Sequence, residues 1–216
     1  IARGAAGRIL PLGKMATGVS VQLLGSTVST VIGETYSAIY GSADQNSLFG
    51  AGEAVKVSTS DAALAVGPLL TAQVPCAGGG PVESSLPSVT LPGSLGSLGA
   101  VKSTAVGDRD GLLGSATTTS EAVGVNLAGG LVTADVVSSI SRAETADGGQ
   151  TVSTDGTAST FTNLRIAGVP VAVDTPFNTV IQLPTELGYV VVNARTDYDS
   201  GVETIPLVVH LNPVAG

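Results

Sequence analysis

Charge, aromatic rings and sulfur are all scarce in this chain. Only 12% of its 216 residues are charged, about half the usual ~25%. Tryptophan is absent, and there are four tyrosines, three phenylalanines, one cysteine and one histidine. A single cysteine excludes an internal disulfide framework. One His with one Cys is a poor start for a zinc site, which needs three or four converging ligands. A Ser-His-acid arrangement would have to use His210, and the chain has no G-x-S-x-G elbow to present the serine. Gly78-Gly79-Gly80 lacks the Gly-Lys-Ser/Thr ending of a phosphate-binding loop. The shortage of bases has its own consequence. Nine Lys and Arg against seventeen Asp and Glu give a formal charge of −8, which excludes the basic footprint a nucleic acid or an acidic lipid surface requires. No apolar run approaches the ~18 residues of a spanning helix. The shortage of rings also lowers the expectation of a lectin built on aromatic platforms.

Ser, Thr and 29 glycines stand where charge is missing, and hydrophobic residues still make up 43% of the chain. A chain of this length buries a core without metal or disulfide, covering roughly 70% of the surface its unfolded form exposes. The apolar residues recur with period two. Val19, Val21 and Leu23 alternate with Ser20 and Gln22, as a half-buried strand requires. Residues 27–40 are rich in β-branched and aromatic side chains, with Gly33 as a bulge candidate. Asp108-Arg109-Asp110-Gly111 between two alternating runs signals a hairpin, and Asp147-Gly148-Gly149-Gln150 signals a second. Residues 133–146 fit a helix capped by Thr133, but their alternation favours a strand. Glycine and proline take over at 77–81 and 85–99, which leaves 77–99 to be a lid, an insertion or plain loop; Pro87 and Pro92 exclude a central sheet position at their own sites, and SVTL between them fits a short edge strand. Short apolar runs at 161–166, 169–173, 178–183, 187–194 and 203–211 supply the clearest core. The expected fold is all-β: a two-layer antiparallel β-sandwich, jelly-roll-like, with little or no helix.

The expected organisation is a basic N-terminal arm at 1–15, one sandwich domain at 16–211 and a short tail at 212–216. The arm carries Arg3, Arg8 and Lys14 and no acid, so an acidic body, its own or a neighbour's, is its electrostatic partner; a frayed tail is the alternative. Ile1, Ile9, Leu10 and Leu12 are its apolar anchors, and as a donor strand it would add to a sheet edge, with Pro11 interrupting the ladder. Among the carboxylates, Asp197, Asp199 and Glu203 are weak calcium candidates that supply only part of the six to eight oxygens needed; a solvated acidic turn is the plainer reading. A hydrolytic carboxylate pair is a further alternative. Cys76, between a strand end and a glycine loop, is expected to be an inert thiol, with an intermolecular bridge as the alternative. No cofactor is expected.

Several runs together resemble the choice-of-anchor P family of exported surface proteins, mostly from Gram-positive actinobacteria. They are GVSVQLLG at 18–25, AVGPLLTAQVP at 65–75, AVGVNLAGGLVTADVVSSISRAET at 122–145, FTNLRIAGVPV at 161–171, NTVIQLP at 178–184 and LGYVVVNART at 187–196. The resemblance implies a signal-peptide-bearing β protein on the cell surface, followed by one of several anchors, and carries over no catalytic residue. The chain opens on Ile1 rather than Met, as it would after loss of a leader or after trimming. It ends at Pro213-Val214-Ala215-Gly216 without an LPxTG signal or apolar tail, so either an anchor has been removed or the protein is retained by its neighbours. The expected function is therefore that of a non-catalytic extracellular structural protein, a homo-oligomer or polymer that builds a surface filament or matrix through strand contacts. An adhesin binding a surface glycan or protein is the alternative, and a carboxylate-based hydrolase the second.

Overall fold

A computed structural model describes residues 27–42, 45–59, 65–75, 77–92, 95–111, 113–146, 151–155 and 157–212. The expected strand at 18–25, the arm residues Ile1, Arg3, Arg8, Ile9, Leu10, Leu12 and Lys14, the second hairpin turn at 147–150 and Cys76 lie outside the described residues. In chain order the strands are β1 (Val28–Ser42), β2 (Gln45–Thr59), β3 (Ala65–Val66), β4 (Thr71–Gln73), β5 (Gly79–Leu86), β6 (Val89–Leu91), β7 (Gly96–Leu98), β8 (Val101–Asp110), β9 (Leu113–Leu127), β10 (Val132–Ala146), β11 (Thr151–Ser153), β12 (Ala158–Thr162), β13 (Arg165–Ile166), β14 (Val169–Pro170), β15 (Thr179–Gln182), β16 (Gly188–Tyr198) and β17 (Gly201–Leu211). Helical geometry among the described residues is confined to 3-10 turns such as Ala128–Gly130 and Pro184–Glu186.

The strands form two antiparallel sheets packed as a sandwich. The first runs β15-β16-β17-β1-β2, with β3 and β4 both on the far side of β2. The second is built on the meander β8-β9-β10: β5 pairs with β8, β7 and β6 continue from the end of β9, and β11, β12 and β13 pair in turn along β10. Asp110 pairs with Leu113 across the Asp-Gly turn, as the hairpin signal requires. Residues 133–146 lie within β10, where alternation prevails over the helical reading. The Gly/Pro-rich stretch differs from its loop reading. Residues 79–86 form an eight-residue strand whose glycines adopt positive φ and whose proline sits at the sheet's rim, positions at which neither residue breaks a central ladder.

Between the sheets lies an apolar core that includes Val28, Ile32, Leu98, Val125, Leu127, Val137, Phe161, Val190, Leu207 and Val209. Beside it the interface changes chemistry. Ser139 bonds the carbonyl of Gly33, Ser141 bonds that of Thr35 at 2.9 Å, Thr118 that of Tyr36 at 3.0 Å, and Ser120 that of Glu53 at 3.2 Å. Ser37 returns a bond to the carbonyl of Ser141 at 2.9 Å. Hydroxyls of β9 and β10 thus reach the backbone of β1 and β2, satisfying polar groups that would otherwise be buried unpaired. Small side chains make this reach feasible. A Cβ on Gly52 would lie 2.8 Å from the carbonyl oxygen of Thr119. Ser141→Ala removes a bond to Thr35 O and the 2.8 Å partner of the Thr35 hydroxyl, so we expect a loss of about 1–2 kcal/mol in urea unfolding.

Gly33 marks a different irregularity from the expected bulge. The β1–β17 ladder lapses at Gly33 and Glu34 and resumes with unchanged register, Ile32 facing Leu207 and Thr35 facing Thr204. Pro206, which donates no backbone hydrogen bond, lies opposite Gly33, and Asn193 continues the row on β16; Gly33 and Asn193 have φ of 76° and 56°. Across this row the inward set switches from Val28 and Ile32 to Thr35 and Ser37 on β1, and from Val209 and Leu207 to Thr204 and Val202 on β17. The switch brings Glu34, Tyr36 and Glu203 onto the outer face of the first sheet.

Candidate functional site, an acidic and aromatic face

Three glutamates from distant parts of the sequence meet on that outer face. Glu34 of β1 lies directly across from Glu53 of β2, and Glu203 of β17 lies across from Tyr36. Lys56 stands among them, its Nζ 3.1 Å from Glu34 Oε2 and 2.9 Å from Glu53 Oε2. Like charges opposite one another destabilise a sheet, and Lys56 offsets that repulsion. Tyr198 donates to Glu203 Oε2 at 3.0 Å. Tyr36 packs edge-on against Phe49 and Tyr198, with ring centroids 5.6 and 5.9 Å apart, and shares a hydroxyl hydrogen bond with Tyr40. Four of the chain's seven aromatic side chains therefore gather beside the three acids.

The cluster is deeply buried, Glu34 being 1% exposed and Glu203 7%. Burial pushes the Glu34 carboxyl from 4.5 up to about 8; Lys56 opposes this, and Glu53 and Glu203 add to it. Burial likewise raises Glu203, against the hydrogen bond from Tyr198, raises Tyr198 to about 12 and raises Tyr36. Burial pulls the Lys56 ammonium down, but Glu34 and Glu53 outweigh it and hold the group above its ordinary value. At neutral pH Glu34 is thus largely protonated. Its Oε2 faces Lys56, while Oε1 has no hydrogen-bond partner among the described residues.

The same face continues past the kink row to Val31 and Val208, which pair across β1 and β17, and then to Ser29, His210 and Tyr189. The Ser29 hydroxyl lies 2.8 Å from His210 Nδ1, and His210 stacks on Tyr189 at 4.4 Å. Burial lowers the His210 pKa, so the imidazole is neutral at pH 7. His210 is thus a half-buried sheet residue held by local contacts to Ser29 and Tyr189.

The three calcium candidates part company. Thr196 faces Glu203 while Asp197 faces Val202, so Asp197 and Glu203 project from opposite faces of the sheet. Arg195 takes up the Asp197 carboxylate, Nη2 to Oδ1 at 2.7 Å and Nε to Oδ1 at 3.0 Å. Asp199 is exposed in the β16–β17 turn. Among the described residues no group of three or more His, Cys, Asp or Glu is arranged to hold a metal ion, and no helix is long and apolar enough to cross a membrane. Glu203 is the one candidate that joins the cluster; Glu34, Glu53 and Lys56 carried no local motif, and only strand pairing brings them together.

A second feature lies on the other sheet. Gly124, Asn126, Thr133, Asp135, Asn163 and Arg165 line an open groove of about 530 Å³. Asn163 donates to Asp135 Oδ2 at 2.5 Å, and Arg165 to the carbonyl of Gly168 at 3.1 Å. No protein-family model, curated protein or solved structure matches the chain.

Proposed function

We propose that this chain is a non-catalytic extracellular structural protein whose subunits join through β-strand contacts into a surface filament or matrix. The observation that carries the reading is the edge at β15. Its four residues pair only with β16 among the described residues, Val180 is half exposed and none of the four is charged. Val173 and Phe177 are exposed along the same run of chain. An edge that is unpaired among the described residues and carries no charge or proline is a template for another strand, and an extended segment adds to it through backbone bonds with side chains alternating into grooves. On the outer side of the opposite sheet Ser115, Thr117, Thr119, Ser138 and Thr160 supply hydroxyls beside Glu121, Arg142 and Glu144. The location rests on the resemblance of the runs quoted above to exported surface proteins.

The donor in this reading is the basic arm at 1–15, with Ile9, Leu10 and Leu12 as anchors. Sedimentation velocity on the full chain and on a chain lacking residues 1–14 tests it. The full chain is expected to form large species that the shortened chain does not; an unchanged size distribution sinks the donor-strand route.

The groove on the second sheet favours one alternative, a glycan- or protein-binding module. Paired amide and carboxylate groups with a nearby guanidinium suit a hydroxyl-rich ligand. Asp135→Ala abolishing retention on immobilised surface glycan, with assembly intact, would favour that reading.

A further inference from the structure

The outer face of the first sheet carries a buried apolar pair. Val31 is 1% exposed and Val208 4%, yet neither belongs to a hydrophobic cluster of the described residues. β1 packs against β2 and β17 within its sheet and against β9 and β10 on the inner side; its outer side chains look away from all of these. On that side the face offers, among the described residues, an apolar strip, a tyrosine cluster, three glutamates with one lysine, and a buried carboxyl oxygen, Glu34 Oε1, without a hydrogen-bond partner. Three acids around one lysine, one of them with an unbonded oxygen, suit further hydrogen-bond donors on apolar stems, because a buried polar group is costly unless paired.

We infer that this face is the seat of the chain's own leading segment, residues 1–26. Three observations select that occupant. These residues carry Arg3, Arg8 and Lys14 and no acid, with Ile9, Leu10, Leu12, Val19, Val21, Leu23 and Leu24 between and after them, which matches acid and apolar strip together. Length fits as well, because the other stretches outside the described residues have at most five residues each. Position also fits. The segment ends at Ser26, two residues before β1 begins at Val28 beside Leu211 at one end of the face, and Glu34 lies only eight residues on from Ser26. At ~3.3 Å per extended residue, a chain doubling back from Ser26 reaches Glu34 and Glu203 well before Lys14 is used up. The inference takes from the proposed function only the idea that the leading segment docks. It holds equally for a protein that never assembles; assembly through the β15 edge of a neighbour would require the arm to leave this seat.

Zero-length carbodiimide cross-linking of the full chain, in an equal mixture of unlabelled and 15N-labelled protein, tests it. The Lys56–Glu53 pair, 2.9 Å apart, reports that the reagent reaches the cluster. Links from Lys14 to Glu34, Glu53 or Glu203 are expected, and only within one isotopic label. The same links across labels would overturn the own-chain seat while leaving the assembly reading in place. A second measurement removes dependence on reagent access. In the full chain carrying R3E, R8E and K14E, Tyr36 is expected to lose its protection from nitration and react like Tyr40. Tyr36 staying as protected as in the wild type overturns the inference. Failure of the assembly reading shows separately, as monomer in sedimentation whatever the cross-links.

Discussion

At pH 8 the Glu34→Gln variant is expected to be more stable than the wild-type protein, by up to about 4 kcal/mol, and at pH 5 the two should be nearly equal. The sign follows from the buried carboxyl. Its pKa is 4.5 when unfolded and about 8 when folded, so between those values the native state holds a proton that the unfolded state has released. Stability is full below about pH 4.5 and drains away as pH rises through 8. Raised Glu203 steepens the same slope. Glutamine keeps the shape of the protonated acid and has no proton to lose. The check is the urea midpoint at pH 5, 6.5 and 8 for both proteins. A wild-type midpoint independent of pH, or an equally steep fall in the variant, would show that Glu34 is ionised and compensated in the native state.

The second large effect concerns the close approach of the sheets. Gly52→Val places a branched side chain where even a Cβ would lie 2.8 Å from the Thr119 carbonyl oxygen and 3.5 Å from Ser103 Cβ. The first of these is backbone in a central strand and has nowhere to move. The sheets must separate locally, which also stretches the bond from Ser120 to the carbonyl of Glu53. Overpacking of this kind costs about 3 kcal/mol or more, and for a chain of this size that lowers the melting temperature by roughly 6–12 °C. Gly111→Asn is the control. Nothing lies within 4 Å of a Cβ there and its φ is 59°, a conformation asparagine tolerates. A melting temperature for Gly52→Val within a degree or two of the control would mean that the hydroxyl-lined interface is looser than described.

Much of the architecture was legible because period-two patterning acts locally. Alternation over 133–146 announces β10 as a strand and Asp110-Gly111 announces the β8–β9 turn, without reference to the rest of the chain; which way β10 faces was not legible, because Ser139 and Ser141 turn inward with Val137 to bond the backbone of β1. The stretch at 79–86 escaped because rim positions tolerate the very residues that argue against a strand. The acidic cluster escaped for a different reason. Glu34, Glu53 and Glu203 are separated by 19 and 150 positions, and they meet only because β17 returns beside β1 and the row Gly33–Pro206–Asn193 switches the face that each strand turns outward. Glu203 drew attention through Asp197 and Asp199, its neighbours in sequence, although pairing with Thr196 turns it from Asp197. Gly33 was a visible irregularity, but its effect on three strands at once depends on Pro206, more than 170 residues away.

Electron microscopy of the natively purified protein tests the central claim most directly. A structural surface protein joined through strand contacts is expected to appear as filaments or sheets with a regular subunit repeat, lost when residues 1–14 are deleted. Isolated particles of single-subunit size at every concentration would contradict it.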